Sequence, residues 1–143
     1  MRHITDIIIH GTATPPSMQV DVRTVRQWHM ARGWDDIGYH FLILRSGVIE
    51  DGRDLDKDGN IFEEVGAHTF RYNKNSIGIA LAGGVDEDRK IDVNYTANQY
   101  QSLRVCLDSM LHRFPNAELN GHRRYANTKC PYFDVRSFYY GDK

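Results

Sequence analysis

The sequence predicts one α/β domain built on a central mixed β-sheet flanked by helices. Two kinds of apolar run alternate along the chain, and their different periods carry the prediction. Short continuous runs, IIIH at residues 7–10 and SIGIALAGG at 76–84, have the length and β-branched content of strands buried on both faces. Other segments repeat apolar residues at helical spacing, most clearly Tyr100, Leu103, Leu107, Met110, Leu111 and Phe114. A third observation makes the sheet mixed: GYHFLILRSGVIEDG reads as two strands about Ser46 and Gly47, a hairpin that adds an antiparallel pair. The 143 residues form one domain over 1–143, and a chain of this size buries roughly two thirds of its unfolded surface without staples.

Taken in order, residues 6 to 10 form a strand that ends in His10 and runs into the turn-prone GTATPP. Asp21 or Ser17 caps a helix with Val22, Val25, Trp28 and His29 on one side, stopping near Gly33. Tyr39 starts the strand GYHFLI, and the hairpin follows. SIGIALAGG is an interior strand ending in a glycine pair. Thr96 and Gln99 form the capping box of the strongest helix, which Pro115 ends after Phe114. A short strand from Glu118 to Asn120 leads into His122, and an amphipathic turn around Val135 and Phe138 closes the chain. There is no internal repeat, linker or low-complexity tract.

Composition narrows the function. With 18 basic and 19 acidic residues the net charge is −1, which gives no electrostatic reason to expect nucleic acid as a partner. The stretch MRHITDIIIHGTA has only three consecutive isoleucines before His10, too few for a signal peptide or a membrane span, so a soluble protein made in the cytosol is expected. Two cysteines, Cys106 and Cys130, make a disulfide framework an unsuitable reading. Cys106 falls on the apolar helix face and belongs to the core. Cys130 falls in a polar loop, where an idle exposed thiol would be a liability.

That loop carries chemistry. NGHRRYANTKCPYFD places His122 and Cys130 eight residues apart with Pro131 directly after the thiol. Imidazole and thiolate are zinc ligands, and a hydrolytic zinc takes three protein ligands and leaves one position open. His10, delivered by a strand to its own end, is the best candidate for the third. His3 and His112 have no motif around them and should be solvated, and His29 is a packing residue.

The pieces IIIHGTAT, RQWHMARGWDDIGYHFLI, SGVIEDGRD, VGAH, YNKNSIGIALAGG and GHRRYANTKCPYFD, in this order and spacing, resemble the zinc-dependent N-acetylmuramoyl-L-alanine amidases of the type 2 family, which includes phage lysozymes and the peptidoglycan recognition proteins. The likeness covers nearly the whole chain and points to compact phage endolysins. It implies the type 2 amidase, or peptidoglycan recognition, fold. It also implies a peptidoglycan substrate cut between N-acetylmuramic acid and L-alanine, with Zn²⁺ on His10, His122 and Cys130. Tyr39 matches the family's catalytic tyrosine, a donor for the oxyanion, whereas strand alternation puts His40 on the opposite face. Two residues before Cys130 the sequence departs from the phage pattern, which commonly has lysine there: this chain has Thr128 followed by Lys129. Thr128 is favoured as the residue facing the metal, with Lys129 the alternative. His68, Asn73 and Asn75 look like groove residues contacting the muramyl peptide, and Trp34 and Tyr72 supply stacking surface.

The resemblance carries further expectations. The chain should act as a monomer, without a membrane anchor, and should reach peptidoglycan after another agent such as a holin releases it from the host cytoplasm. Two rivals to catalysis are a module that grips peptidoglycan without cutting it and a regulator of the phage RNA polymerase, which some short-tailed phage relatives bind and inhibit. Non-catalytic members typically lack the zinc cysteine, so Cys130 counts against the first. One segment lies outside the family pattern. Asp54, Asp56 and Asp58 alternate ahead of Gly59 and Ile61 as in an EF-hand calcium loop, but Val65 stands where the bidentate Glu belongs and no flanking helices are expected. The alternative there is an acidic surface turn.

Overall fold

Ile7, Ile8 and Ile9 are fully buried at the centre of the sheet, and their branched side chains suit a strand enclosed on both faces. The computed structural model describes residues 2–141, nearly all of the domain expected over 1–143. The central strand β1 (Asp6–Gly11) lies between two parallel neighbours, β4 (Ser76–Leu81) and β5 (Glu118–Gly121). On the far side of β4, β2 (Phe41–Ile43) runs parallel to it, and β3 (Ile49–Asp51) closes that edge antiparallel to β2. The order is β3-β2-β4-β1-β5, a mixed five-stranded sheet.

Alternation sorts the strand residues into two cores. On one face Ile7, Ile9, Ile77, Ile79, Leu81, Phe41 and Ile43 pack against Leu103, Cys106, Leu107 and Met110 of α2 (Ala97–Arg113) and Val135 of α3 (Val135–Tyr140). On the other, Leu42 and Ala80 meet Val22 and Val25 of α1 (Val22–Ala31). His10, one residue on from Ile9, belongs to this second face. The capping box forms as the sequence predicts: Thr96 Oγ1 accepts from Gln99 N at 3.1 Å, and Gln99 Oε1 accepts from Thr96 N at 2.9 Å. Gln99 also donates from Nε2 to the carbonyls of Ile43 and Ala82, pinning the start of α2 to the ends of β2 and β4.

Two local expectations are corrected. Trp28 is exposed and only Val22, Val25 and His29 of α1 are buried, because each residue turns about 100° and Trp28 falls on the flank of the stripe those three define. Regular pairing in β2 begins at Phe41 rather than Tyr39. Arg53 N donates to Tyr39 O and Gly52 N to His40 O, bonds from successive residues, whereas a regular antiparallel ladder bonds alternate ones. Cys130, in its polar loop, is buried. Among the described residues no helix is long and apolar enough to cross a membrane.

Candidate active site

Parallel pairing decides which side chains meet beyond the strand ends. The register of β1 with β5 sets Ile9 beside Gly121, so the next residues, His10 and His122, emerge side by side past the carboxyl ends of two parallel strands, where open α/β sheets place their sites. Their ring centroids are 4.5 Å apart. Cys130 returns to the same place through a loop closed by Arg123 N donating to Cys130 O at 2.8 Å, with a cis Cys130–Pro131 bond and Tyr95 Oη donating to Pro131 O at 3.0 Å. Its Sγ accepts from Gly11 N at 3.1 Å, so residues 119 apart in sequence fix the thiol against the end of β1. One ligand atom each from His10, His122 and Cys130 lies within 4.8 Å of the others.

The electrostatics suit a cation. Burial, and then repulsion from His122, hold His10 well below its ordinary pKa, and burial lowers His122. Both rings are therefore neutral at neutral pH, the form that ligates metal. Burial pushes the Cys130 thiol up to about 11 against the opposing pull of the Gly11 N–H. Two neutral imidazoles and one thiol that lacks only a positive charge to ionise form a donor set that fits Zn²⁺.

A row of rings leads from this cluster towards solvent. The Tyr39 ring lies 5.2 Å from that of His10 and 5.5 Å from that of His29, which in turn lies 4.6 Å from that of Trp34. His29 is fixed by accepting from Gly38 N on Nδ1 at 2.8 Å. Burial, then the Cys130 charge, raises the Tyr39 pKa, so its hydroxyl keeps its proton and acts as a donor. His40 has both ring nitrogens engaged with backbone: Nδ1 accepts from Gly78 N at 3.0 Å and Nε2 lies 2.7 Å from Glu64 O. Thr128 Oγ1 accepts from Cys130 N at 3.2 Å, which leaves its own O–H free to donate, while Lys129 is exposed.

The polar residues expected on the groove wall have internal engagements. His68 is buried behind His10. Asn73 Oδ1 accepts from the backbone N–H of both His68 and Thr69, and Asn75 Nδ2 donates to His3 O at 2.8 Å. Tyr72 is exposed and packs on Tyr125 with centroids 4.6 Å apart. In a separate cluster, carboxylate oxygens of Asp54, Asp56 and Asp58 approach one another within 4.8 Å. Their bonds from Gly59 N, Asp58 N and Asn60 N are those of an acidic turn, between β3 and a 3-10 turn at Ile61–Glu63.

Comparison with known proteins agrees with this geometry. The family model described as N-acetylmuramoyl-L-alanine amidase matches residues 1–133. The chain belongs to that amidase family. The endolysin of Escherichia phage T7 is 45% identical over 139 residues, covering 96% of this chain and 87% of that protein. Peptidoglycan-recognition protein LB of Drosophila melanogaster is 30% identical over 136 residues, covering 87% of this chain and 53% of that protein. Among solved structures, an N-acetylmuramoyl-L-alanine amidase of Clostridium intestinale superposes with a TM-score of 0.74 at 28% identity, over 91% of this chain and 77% of that one.

Sequence reasoning about this amidase missed three participants: the Gly11 N–H on Cys130, Thr69 beside His68, and Ser76 at the start of β4. Gly78, a glycine inside an otherwise apolar strand, did signal a close approach to the backbone, which is made by the His68 ring that Thr69 and Ser76 contact.

Proposed function

We propose that this amidase is an endolysin-like peptidoglycan hydrolase that uses zinc on His10, His122 and Cys130 to cut the amide between N-acetylmuramic acid and L-alanine. The convergence of those three donors at the ends of β1 and β5 is the observation that carries the reading. The amidase family and the endolysin relatives supply the substrate class. Zinc in such a site lowers the pKa of water towards neutrality and polarises a carbonyl oxygen. The chain's own side chains do the rest. Tyr39, protonated and beside His10, donates a hydrogen bond to the oxyanion that forms at the scissile carbonyl, a contribution of about 3 kcal/mol for one such donor. Thr128 offers a second hydroxyl from beside Cys130, with exposed Lys129 as the alternative donor. Trp34, exposed at the end of the ring row, offers a stacking surface for sugar or peptide, whereas Asn73, Asn75 and His68 direct their polar groups to contacts inside the protein.

In this reading the protein is a monomer made in the host cytoplasm that reaches peptidoglycan after release. Regulation of a phage RNA polymerase rests on the resemblance alone, and a pull-down with the cognate polymerase tests it. Metal analysis tests the main reading. The purified protein should hold about one zinc per chain, exhaustive chelation should abolish lysis of sacculi, and zinc should restore it; lysis that survives chelation would sink the metal mechanism.

A further inference from the structure

His10 has two ring nitrogens, and one is already engaged inside the protein. Its Nε2 lies 2.9 Å from Nδ1 of His68 and 3.3 Å from Oγ1 of Thr69. The Thr69 hydroxyl is itself 2.9 Å from His68 Nδ1, and the other nitrogen of His68, Nε2, lies 3.2 Å from Ser76 Oγ on β4. A hydrogen bond between two imidazole nitrogens holds one proton, so one ring donates and the other accepts. A His10 that ligates metal must do so through Nδ1, which puts its proton on Nε2 and makes His68 Nδ1 the acceptor. His68 then carries its own proton on Nε2, facing Ser76. One tautomer at each ring serves these contacts, with the single lone pair of His68 Nδ1 shared between His10 Nε2–H and the Thr69 hydroxyl.

The backbone is shaped around the second ring. A Cβ on Gly78 would stand 2.6 Å from Cγ and Cδ2 of His68 and 2.7 Å from its Nδ1, and a Cβ on Gly66 would stand 2.7 Å from Cδ2. Gly78 sits in the middle of β4, flanked by β1 and β2, where glycine weakens a strand and is found where another group must come close. The His10 and His68 rings meet edge to face at 88° with centroids 5.0 Å apart. Asn73 Oδ1 holds the loop that delivers His68 by accepting from His68 N at 2.9 Å and Thr69 N at 2.8 Å.

We infer that His68 is a positioning residue of the metal centre, accepting the Nε2 proton of His10 so that His10 is locked in one tautomer with Nδ1 presented to the metal. This rests on the reading of His10 as a zinc ligand. Groups that orient a ligating histidine through its second nitrogen typically affect metal affinity by about 10–100-fold. His68 therefore acts from behind the site, and Gly66, Gly78 and Asn73 serve to seat it.

The test is the zinc affinity of wild type, His68→Leu and His68→Asn, measured by competition with a chromophoric chelator, with the denaturant stability of each metal-free form recorded alongside. Leucine fills the slot without an acceptor. Asparagine can place its Oδ1 near the position of the lost Nδ1. Affinity should fall about 10–100-fold in His68→Leu and recover in large part in His68→Asn, a pattern that a merely structural role would not give. The ¹⁵N signals of His10 in the metal-free protein give a second readout: Nε2-protonated in wild type and in His68→Asn, a mixture of tautomers in His68→Leu. Wild-type affinity in His68→Leu overturns the inference while leaving the zinc reading intact, and a wild type that binds no zinc overturns both. Should His68→Leu fail to fold, the wild-type spectrum still decides, because a His10 protonated on Nδ1 contradicts the inference.

Discussion

The thiol of Cys130 is held where ionisation is costly without a cation, since burial raises its pKa and the Gly11 N–H offsets only part of that. Replacing it by serine leaves a hydroxyl, a far weaker zinc ligand, so Cys130→Ser should lose most bound zinc and nearly all lysis while staying folded; metal analysis beside circular dichroism checks this. Tyr39→Phe should retain zinc and lower turnover about a hundredfold, the usual effect of deleting one oxyanion donor, and wild-type turnover would remove Tyr39 from the mechanism. Thr128 and Lys129 are separated by their surroundings: the threonine oxygen bonds to Cys130 N, and the lysine is exposed. Thr128→Val should therefore reduce turnover with zinc kept, and Lys129→Ala should change it little. The reverse order would give the inward role to Lys129, whose ammonium would form the stronger, charge-assisted bond. At this scale the sequence was legible where a motif spelled out the chemistry, as at His122 and Cys130. It was silent on partners set by long-range packing, because nothing local in VGAHT says that His68 meets His10 58 residues away.

At the scale of elements, the strands and helices were readable because local pattern and tertiary need coincide. The three isoleucines of β1 and the capping box of α2 each fix an element with little help from outside. Thr96→Ala should cost about 1 kcal/mol in a denaturant titration, the usual price of a lost N-cap. Leu107→Ala, which empties a fully buried position under α2, should cost about 2–5 kcal/mol. Cys106→Ser should act on stability alone, with metal content unchanged, since Cys106 lies in the core between α2 and the sheet. What stayed illegible were the edges of elements. The late start of β2 depends on hydrogen bonds from Gly52 and Arg53, and the short 3-10 turns at Asn73–Asn75 and His122–Arg124 follow from how loops leave the sheet rather than from any periodic signal.

For the whole molecule, buried neutral histidines couple folding to pH, His29 and His40 among them. Burial lowers the pKa of both His29 and His40 from 6.5 to about 4. As pH falls below about 6.5 the unfolded chain takes up protons on these rings while the folded chain does not, so the unfolded state is favoured. Stability of the metal-free protein should be level above that pH and decline as pH drops towards about 4, read as a falling denaturant midpoint. Zinc, bound by the folded state, should raise the midpoint above pH 6.5 in proportion to the logarithm of its free concentration. Parallel β1 and β5 bring two histidines to one point, a returning loop adds the thiol, and a row of rings opens the cluster to solvent, an arrangement that suits the metal-dependent amide cleavage proposed above. Mass spectrometry of sacculi digested with the zinc-loaded and the chelated protein tests that most directly. Stem peptides with free L-alanine amino termini and unbroken glycan strands should form, and only with zinc; new reducing sugar ends, or the same peptides released by the chelated protein, would overturn the proposed cleavage.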